Sequence, residues 1–306
     1  MNLLHDDIVN LAAAAVEKMD LPALHAHAIS ADVLRLDQIH PVISGNKWFK
    51  LKYYLQEALQ QHYNSLLTFG GAYSNHIVAI ACAAQQVGLK SVGIIRGEKP
   101  VVISHSLRNA MHYGMQLEFV SRNDYSNRND PALAAMLAEK YQQPYFIAEG
   151  GQGMLGIKGA AEILNLVDKT KYSHLLCAVG TGTLLNGIAR SSLPGQQLVG
   201  IPVLKGFENN EAGLLSISNN AGKNIQLVHE YHFGGYAKNN AELFAFMNGL
   251  YQETGIPTDF VYTGKLFFAA MDLVKKNHFP KGSKLLIIHS GGLQGNGSLA
   301  AGRLIF

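Results

Sequence analysis

The segment SGNKWFKLK, residues 44–52, carries the most information in this sequence. A short polar turn leads into Lys47, and from Trp48 the apolar residues recur with helical spacing, which predicts a helix that begins at the lysine. Lys47 and Lys50 are three residues apart, so both can extend from one side of the first helical turn. Lysines that open a helix are usually solvated, so the meaning of this segment depends on the glycine-rich turns that follow.

The composition is typical of a compact globular protein. The chain has 306 residues, of which 48% are apolar and 15% charged, enough for one large core or two domains. The net charge of +3 is spread without a basic run, which argues against nucleic-acid and membrane partners. The longest apolar run, residues 77–84, is far shorter than the ~20 residues of a membrane span. The N-terminal sequence carries early acids and no apolar signal core, so we expect a cytoplasmic protein.

The cysteines and histidines do not indicate a metal site. Cys82 and Cys177 lie in apolar segments, so we expect buried, reduced thiols. Close pairs of histidines occur, but they lack cysteine or carboxylate partners at ligand spacing. We therefore expect no bound metal.

Strands and helices alternate along most of the chain. Residues 65–148 contain four strands separated by helices, which favours a parallel sheet with right-handed crossovers. The pattern resumes after the glycine-rich joint at 150–153. Strands are predicted at 31–36, 65–69, 91–95, 116–121, 145–148, 174–179, 197–203 and 284–289, with 224–232 extended. Helices are predicted at 1–20, 75–87, 103–113, 131–141, 155–167, 240–253 and 264–276, and after the turns at 44–47 and 180–187.

These elements predict an α/β fold of two open, mostly parallel lobes. We assign residues 1–52 and 151–306 to a large domain that binds a cofactor and 53–150 to a small domain that closes over the substrate. In parallel α/β sheets, ligands bind at the carboxyl ends of strands, where loops meet helix N-termini. Three glycine-rich turns lie at such positions.

The first turn is GGAYSNH, residues 70–76. Its glycines allow the backbone to approach a ligand, and Ser74 and Asn75 stand where a helix has unpaired N–H groups. Such a helix end attracts a carboxylate or a phosphate. The alternative is that Ser74 only caps its own helix.

The second turn is GTGT, residues 180–183, again before a helix. Backbone N–H groups and two hydroxyls there suit a phosphate. The turn is not a Walker A loop, and the spacing of Gly180, Gly182 and Gly187 does not fit a dinucleotide fingerprint. We therefore expect one phosphate monoester, although an ordinary strand-to-helix turn remains the alternative.

The third turn is HSGG, residues 289–292, which places a hydroxyl at the end of a late strand. Taken together, a lysine amine, a cradle for one phosphate and a helix end that binds a carboxylate fit pyridoxal 5'-phosphate with an amino-acid substrate. In this interpretation the lysine bonds to the cofactor, which acts as the electron sink.

The same motifs identify a family. In their order along the chain, SGNKWFKL, GGAYSNH, AVGTGT, GGYAKNNAEL, DFVYTGK and HSGG resemble the D-cysteine desulfhydrase and 1-aminocyclopropane-1-carboxylate (ACC) deaminase family. The resemblance covers about residues 37–292. It implies the tryptophan synthase β-type fold (fold type II) and a pyridoxal-phosphate-dependent lyase or deaminase.

The resemblance assigns roles that the residues alone leave open. The family's Schiff-base lysine falls on Lys47, a choice that spacing could not make against Lys50 or Lys52, and Lys50 falls on a lysine near the phosphate. The family's serine that holds the substrate carboxylate and assists proton transfer falls on Ser74. Asn75 falls on a residue near the cofactor's phenolic oxygen, and we group it with Ser74 and His76 as substrate-binding.

Further cofactor and catalytic positions follow from the resemblance. Tyr236 and Tyr262 match two active-site tyrosines, and either can assist the leaving group. Ser290 matches a residue beside the cofactor ring. The phosphate loop of the family falls on Gly180, Thr181, Gly182 and Thr183.

Two positions favour one branch of the family. ACC deaminases resemble one another in having a glutamate and a leucine where this chain has Thr263 and Ser290. A carboxylate beside a ring nitrogen stabilises its protonated form, whereas a hydroxyl does so weakly. The weaker electron sink suits expulsion of a good β leaving group better than cyclopropane opening, so we expect D-cysteine to give pyruvate, sulfide and ammonia. Phe260, where the family usually has proline, and the unusual residues 293–297 are departures that concern the substrate.

Several alternatives remain at this stage. Within pyridoxal chemistry they are ACC deamination and a serine dehydratase-like activity. From other classes they are a dinucleotide-binding oxidoreductase and a protein that binds the cofactor without catalysis. The family also implies a homodimer, and the preference for D or L substrates stays open.

Overall fold

A computed structural model of the chain describes residues 8–207 and 224–306. The described strands are β1 (Val16–Met19), β2 (Ser30–Arg35), β3 (Ser65–Gly70), β4 (Lys90–Arg96), β5 (Gln116–Val120), β6 (Tyr145–Ile147), β7 (His174–Val179), β8 (Gln197–Pro202), β9 (Asn224–Leu227) and β10 (Lys284–His289). The described helices are α1 (Pro22–Ala26), α2 (Asn46–Gln60), α3 (Asn75–Gln86), α4 (His105–His112), α5 (Arg122–Ser126), α6 (Pro131–Lys140), α7 (Met154–Ala160), α8 (Thr183–Ser191), α9 (Ala241–Thr254) and α10 (Thr263–Lys275).

The strands form two sheets. The larger sheet has the order β1-β2-β10-β7-β8-β9, and its neighbours are parallel except for the antiparallel pair β1 and β2. The smaller sheet has the order β5-β4-β3-β6 and is parallel throughout. The predicted α/β class with mostly parallel sheets is confirmed.

Most predicted boundaries agree with the structure to within two residues. The strands at 174–179 and 284–289 coincide with β7 and β10. Side-chain caps define several helix starts: Ser74 accepts from Ile77 N at 3.3 Å before α3, and Asn240 accepts from Leu243 N at 2.9 Å before α9. These caps satisfy N–H groups that have no partner inside the helix.

The helix predicted over residues 1–20 is wrong in the part that the structure describes. Leu11–Ala13 is a single 3₁₀ turn, and β1 follows as a strand. β1 pairs with β2 from Val16 opposite Leu34 to Met19 opposite Ala31, and so covers an edge that would otherwise expose unpaired backbone groups. This long-range pairing outweighs the local apolar periodicity. Residues 1–7 lie outside the described residues.

Two further predictions hold only in part. The helix predicted at 155–167 is α7 followed by a 3₁₀ turn at Ala161–Leu166, because apolar spacing does not separate these two helix types. The extended stretch predicted at 224–232 is strand only in β9 and then turns at His229–Tyr231. The five-residue helices α1 and α5 were not predicted.

One hydrophobic core joins the two sheets. It contains Leu34 and Ile288 from the large sheet and Leu66 and Ile95 from the small sheet, with Leu51 of α2 buried among them. The strands of the small sheet all lie within residues 53–150, but the division into two domains stays a prediction. Cys82 and Cys177 are buried and free, as predicted. In the described ranges, no helix has the length and apolarity to cross a membrane.

Candidate active site

A cavity of about 460 Å³ opens between the two sheets, at the carboxyl ends of their strands. The segments that line it follow β3, β4, β6, β7, β8 and β10, and the first turn of α2 completes it. Every residue assigned from the resemblance lines this cavity except Thr183. The fold therefore places side by side the distant segments that we predicted to form one site.

The first turn of α2 is fixed to the end of β10. Gly45 has φ +67°, and a Cβ atom at this position would lie 1.9 Å from the carbonyl oxygen of Ser290. Only glycine allows this approach. Asn46 N donates to the same carbonyl at 3.1 Å. The contact holds the start of α2, and with it Lys47, over the cavity.

Lys47 presents its amine to the cavity. Nζ donates to Oδ1 of Asn46 at 3.0 Å and lies 6.0 Å from the centroid of the Tyr262 ring. Burial of the ammonium lowers the pKa of Lys47 to about 8, and the nearby charge of Asp259 opposes this shift. A substantial fraction of the amine is therefore neutral, and nucleophilic, near physiological pH.

The structure separates the three lysines that spacing could not. Lys50 is buried, and its burial together with the charge of Lys47 places its pKa well below the ordinary value. Its ammonium has no hydrogen-bond acceptor within the described ranges. Lys52 instead pairs with Glu162, which also accepts from Tyr53. Burial without an acceptor disfavours the charged form of Lys50, and a bound anion would favour it again. Lys50 therefore fits a phosphate, and Lys52 does not belong to the site.

The turn between β3 and α3 forms the opposite side of the cavity. The Ser74 oxygen accepts from Ile77 N and caps α3, while its O–H stays available to donate. Asn75 Nδ2 lies 3.4 Å from the carbonyl oxygen of Gly292, which ties this turn to the end of β10. The buried Oδ1 of Asn75 has no partner in the part of the chain that the structure describes. Ser74 is thus both a helix cap and a cavity residue.

His76 lies deeper in the same turn. It is buried, with Nε2 3.0 Å from the Thr68 hydroxyl. Burial, followed by the charges of Lys47 and Lys50, lowers the pKa of His76 to about 3. The imidazole is therefore neutral over the physiological range and does not add a positive charge to the cavity.

The turn between β7 and α8 presents backbone and hydroxyl groups. Gly182 has φ 78° and precedes the first residue of α8. The hydroxyls of Thr181 and Thr183 are 3.0 Å apart, and Thr183 is buried behind the cavity surface. The N–H groups at this helix start have no acceptor inside the helix and suit a phosphate.

Tyr236 and Tyr262 lie together at one side of the cavity, with ring centroids 6.1 Å apart. Tyr236 is 46% exposed at the mouth, and Tyr262 lies inside. Burial raises the pKa of both phenols, and for Tyr262 the neighbouring Tyr236 adds to the rise. Both hydroxyls are therefore protonated at neutral pH and can donate a proton.

Asp259 is a buried carboxylate that sequence analysis missed. It accepts from the backbone N–H groups of Val261 and Tyr262, both at 2.9 Å, and from Thr263 N at 2.8 Å and its hydroxyl at 2.7 Å. These bonds hold the turn that carries Tyr262. They also direct the Thr263 hydroxyl to Asp259 and away from the cavity. The signal in the sequence was an acid four residues before a helix start, inside the motif DFVYTGK.

Ser290 occupies the end of β10 as predicted. It is buried, lines the cavity, and its hydroxyl has no hydrogen-bond partner among residues 8–207 and 224–306. Sequence analysis missed three charged residues of the cavity, Arg96, Arg128 and Glu149. Arg96 is the last residue of β4, Arg128 lies two residues after α5, and Glu149 lies two residues after β6. Only these positions in the small-sheet region could have indicated them.

The side chains present fit the cofactor that the sequence predicts. Lys50 and the N–H groups after Gly180 supply hydrogen-bond donors that match one phosphate. Asn75 supplies a buried polar atom without a partner. Lys47 supplies an amine whose pKa is lowered to about 8. Covalent attachment, phosphate binding and a polar contact to the ring thus each have a candidate residue in one cavity.

The chain matches one protein-family model and is similar in sequence to several known proteins. A family model described as "Pyridoxal-phosphate dependent enzyme" matches residues 19–291. The bifunctional D-cysteine desulfhydrase/1-aminocyclopropane-1-carboxylate deaminase, mitochondrial, of Arabidopsis thaliana is 31% identical over 283 residues, 83% of this chain and 70% of that protein. A D-cysteine desulfhydrase of Klebsiella pneumoniae (strain 342) is 26% identical over 294 residues, 89% of this chain and 90% of that protein.

A solved structure supports the fold independently. The crystal structure of an ACC deaminase homologue has a TM-score of 0.78 and 24% sequence identity, and the match covers 96% of this chain and 97% of that chain. At this identity the likeness concerns the fold. It agrees with the predicted fold type II architecture.

Proposed function

We propose that this chain, which belongs to the pyridoxal-phosphate-dependent enzymes of the ACC deaminase and D-cysteine desulfhydrase group, eliminates the β-substituent of a small amino acid. The proposed substrate is D-cysteine, which with one water gives pyruvate, sulfide and ammonia. The observation that carries the proposal is the convergence of Lys47, Ser74 and the two tyrosines on one cavity. The relatives named as D-cysteine desulfhydrases support the choice of substrate.

The cofactor-holding residues have distinct tasks. When bound, pyridoxal phosphate holds the substrate amine covalently and withdraws electrons from its α-carbon. We assign the phosphate to Lys50 and to the backbone and hydroxyl groups of residues 180–183. Lys47 provides the amine for attachment, and Asn75 provides a polar contact to the ring.

Proton removal from the α-carbon is assigned to Lys47. A free lysine has a pKa of about 10.4 and is almost fully charged at neutral pH, so it is a poor base. Burial lowers the pKa of Lys47 to about 8. The amine is then near the operating pH, where a general acid–base catalyst is most effective.

Substrate orientation is assigned to the turn before α3. The Ser74 hydroxyl keeps its proton free while its oxygen caps the helix, so it can donate to the substrate carboxylate. The N–H groups at the start of α3 favour the same negative charge. His76, which is neutral, completes the wall behind them. This grip fixes which bond at the α-carbon faces Lys47.

Protonation of the leaving group is assigned to the tyrosine pair. Loss of sulfide breaks the Cβ–S bond, and the electron pair leaves with sulfur. Tyr236 and Tyr262 hold protonated hydroxyls at neutral pH, and either can donate to the departing thiolate. Ser290 lines the same cavity with a hydroxyl and not a carboxylate, which fits a site that expels a good leaving group better than one that opens a cyclopropane.

The test combines spectroscopy with product analysis. The protein loaded with pyridoxal phosphate is scanned in the visible range, reduced with borohydride and digested, and the labelled peptide is mapped. We expect the label on Lys47, a spectral change with D-cysteine, and sulfide and pyruvate in equal amounts. A labelled Lys47 without sulfide from D-cysteine would remove this substrate; 2-oxobutyrate from ACC, or pyruvate from serine, would then identify the alternative activities.

We also propose that the chain is a homodimer located in the cytoplasm, as the sequence analysis expects. Light scattering after size-exclusion chromatography tests the dimer through its mass, with twice the 33.2 kDa chain mass expected. A monomer mass at working concentration would contradict this part of the proposal without affecting the active-site assignments.

A further inference from the structure

Two arginines lie against one buried tyrosine on the small-sheet side of the cavity. The guanidinium carbon of Arg96, at the end of β4, is 6.0 Å from the centroid of the Tyr125 ring, and that of Arg128 is 5.1 Å from it. Tyr125 is buried, whereas both arginines line the cavity. Contact with an aromatic ring holds a guanidinium in place at low entropic cost.

The charges of this cluster do not balance. Arg128 Nε pairs with Oε2 of Glu149 at 3.0 Å. Arg96 has no ion pair and no hydrogen bond to another residue in the described ranges. Two cations and one carboxylate leave an excess of one positive charge facing the cavity. A planar guanidinium without a partner is suited to a carboxylate, which it can bind through two parallel hydrogen bonds.

Arg96, the last residue of β4, lines the same cavity as the proposed proton donor Tyr236. The charges of both Arg96 and Glu149 act on the phenol of Tyr236: Glu149 raises the pKa of Tyr236, and Arg96 lowers it. β4 pairs with β3, and the turn after β3 carries Ser74, so Arg96 lies one strand away from the position assigned to the substrate carboxylate. A substrate held there by its α-carboxylate can extend a second acidic group towards Arg96.

We propose that Arg96 is a specificity-determining residue that binds a carboxylate carried by the leaving group. The preferred substrate class is then a β-substituted alanine whose departing thiol bears an acid. D-cysteine, whose departing sulfide bears no acid, lies outside this preferred class and leaves Arg96 unpaired. This inference rests on the proposed β-elimination and deepens it.

The reaction balances for a simple member of the class. S-carboxymethyl-D-cysteine and one water give pyruvate, ammonia and thioglycolate. The Cβ–S bond breaks, the electron pair leaves with sulfur, and the thiolate takes a proton from the phenol. Arg96 keeps its charge throughout and pairs with the carboxylate of the departing thioglycolate.

The experiment compares this compound with its neutral isostere, S-carbamoylmethyl-D-cysteine. Dissociation constants come from spectral titration of the cofactor-loaded protein, and turnover comes from pyruvate release. We expect the wild type to bind the acid about fivefold more tightly than the amide, the upper range for a partly exposed ion pair. In Arg96→Gln the ratio falls to about one, and added salt reduces the wild-type ratio because it screens the pair.

Arg122→Gln is the matched control, since Arg122 is an exposed arginine on α5 that does not line the cavity. It should keep the wild-type ratio. An equal affinity of the wild type for acid and amide, or an Arg96→Gln variant that weakens both compounds equally, would overturn the proposal. Sulfide from D-cysteine tests the proposed function separately, because the titration ratio does not depend on turnover.

Discussion

The two walls of the cavity differ in construction. The wall on the large sheet contains buried groups that bond to one another: the first turn of α2 rests on Ser290, and Asp259 holds four donors of one turn. The wall on the small sheet contains the turn before α3 and the arginine cluster, with side chains that are partly exposed. Its inner boundary is the neutral, buried His76.

This difference suggests a division of tasks. Buried, mutually bonded groups have fixed positions and suit chemistry that does not vary among substrates. Partly exposed side chains tolerate change and suit the choice of substrate. Substitutions in the large-sheet wall should therefore lower turnover of every substrate. In the small-sheet wall, substitutions in the arginine cluster should alter substrate preference, and substitution of His76 should alter local stability.

The largest effect is expected for Lys47→Ala. The variant loses the amine that we assign to attachment and to proton transfer, so kcat should fall by about 10³-fold or more. Borohydride reduction should no longer label the protein. Sulfide release and mass mapping measure both results. The control is Lys52→Gln, whose lysine pairs with Glu162 outside the cavity; it should keep the label and most of the activity. Undiminished turnover in Lys47→Ala would contradict the assignment.

The second effect is expected for Asp259→Asn. One acceptor oxygen becomes an NH₂ group that faces the N–H donors of the turn, so buried donors lose their partner. We expect a loss of about 2–4 kcal/mol in unfolding free energy and lower turnover of all substrates. Denaturant unfolding and steady-state kinetics measure these changes. Asp272→Asn on α10, whose carboxylate is partly exposed, should cost about 1 kcal/mol or less. If Asp259→Asn instead changed the substrate preference, the proposed role of the large-sheet wall in the turnover of every substrate would be contradicted.

The sequence predicts the fold well where local and global signals agree. β7 and β10 follow from short apolar runs between turns, and α3 from a cap followed by an apolar helix. The signals fail at β1, because its partner β2 lies beyond a turn and α1, and only pairing of the backbone selects strand over helix. Local pattern carries no information on such an edge.

For the candidate site, glycine turns and hydroxyls were visible because close backbone approach requires particular residue types. Arg96 was not visible, since a single arginine has no pattern in the sequence, and Asp259 had only the weak signal of an acid four residues before a helix start. The role of each residue depends on which groups surround it in the folded chain, and for Arg96 on the lack of an ion-pair partner in the described ranges. The same holds for Lys50 and Lys52, which differ by two positions in the sequence but by burial and partner in the structure.

The third effect concerns the small-sheet wall at acid pH. Burial lowers the pKa of His76 to about 3 in the folded chain, whereas an unfolded histidine has a pKa of about 6.5. Between these values the unfolded chain binds a proton that the folded chain does not. Stability should therefore fall as the pH drops from 6.5 towards 3, by about 2 kcal/mol at pH 5. Denaturant unfolding at pH 7 and pH 5 measures it.

His76→Gln should remove this part of the pH dependence, because glutamine does not titrate. The exposed His62 provides the control, and His62→Gln should keep the wild-type dependence. An unchanged slope in His76→Gln would show that another buried group controls acid stability. His76 would then not be the neutral, buried residue that we place at the inner boundary of the small-sheet wall.

The smallest effect is expected for Lys265→Met, at the rear of the large-sheet wall. Lys265 is fully buried, and its ammonium donates to the carbonyl oxygens of His232 at 2.9 Å and Gly235 at 2.8 Å, immediately before Tyr236. Without these bonds the tyrosine is held less firmly, so kcat should fall about tenfold for every substrate. The exposed Lys275→Met is the control. If Lys265 acts through Tyr236, then Tyr236→Phe should cost less in the Lys265→Met background than in the wild type, because the two changes remove one function. Additive losses in kcat would instead show that Lys265 supports the fold and not the position of the phenol.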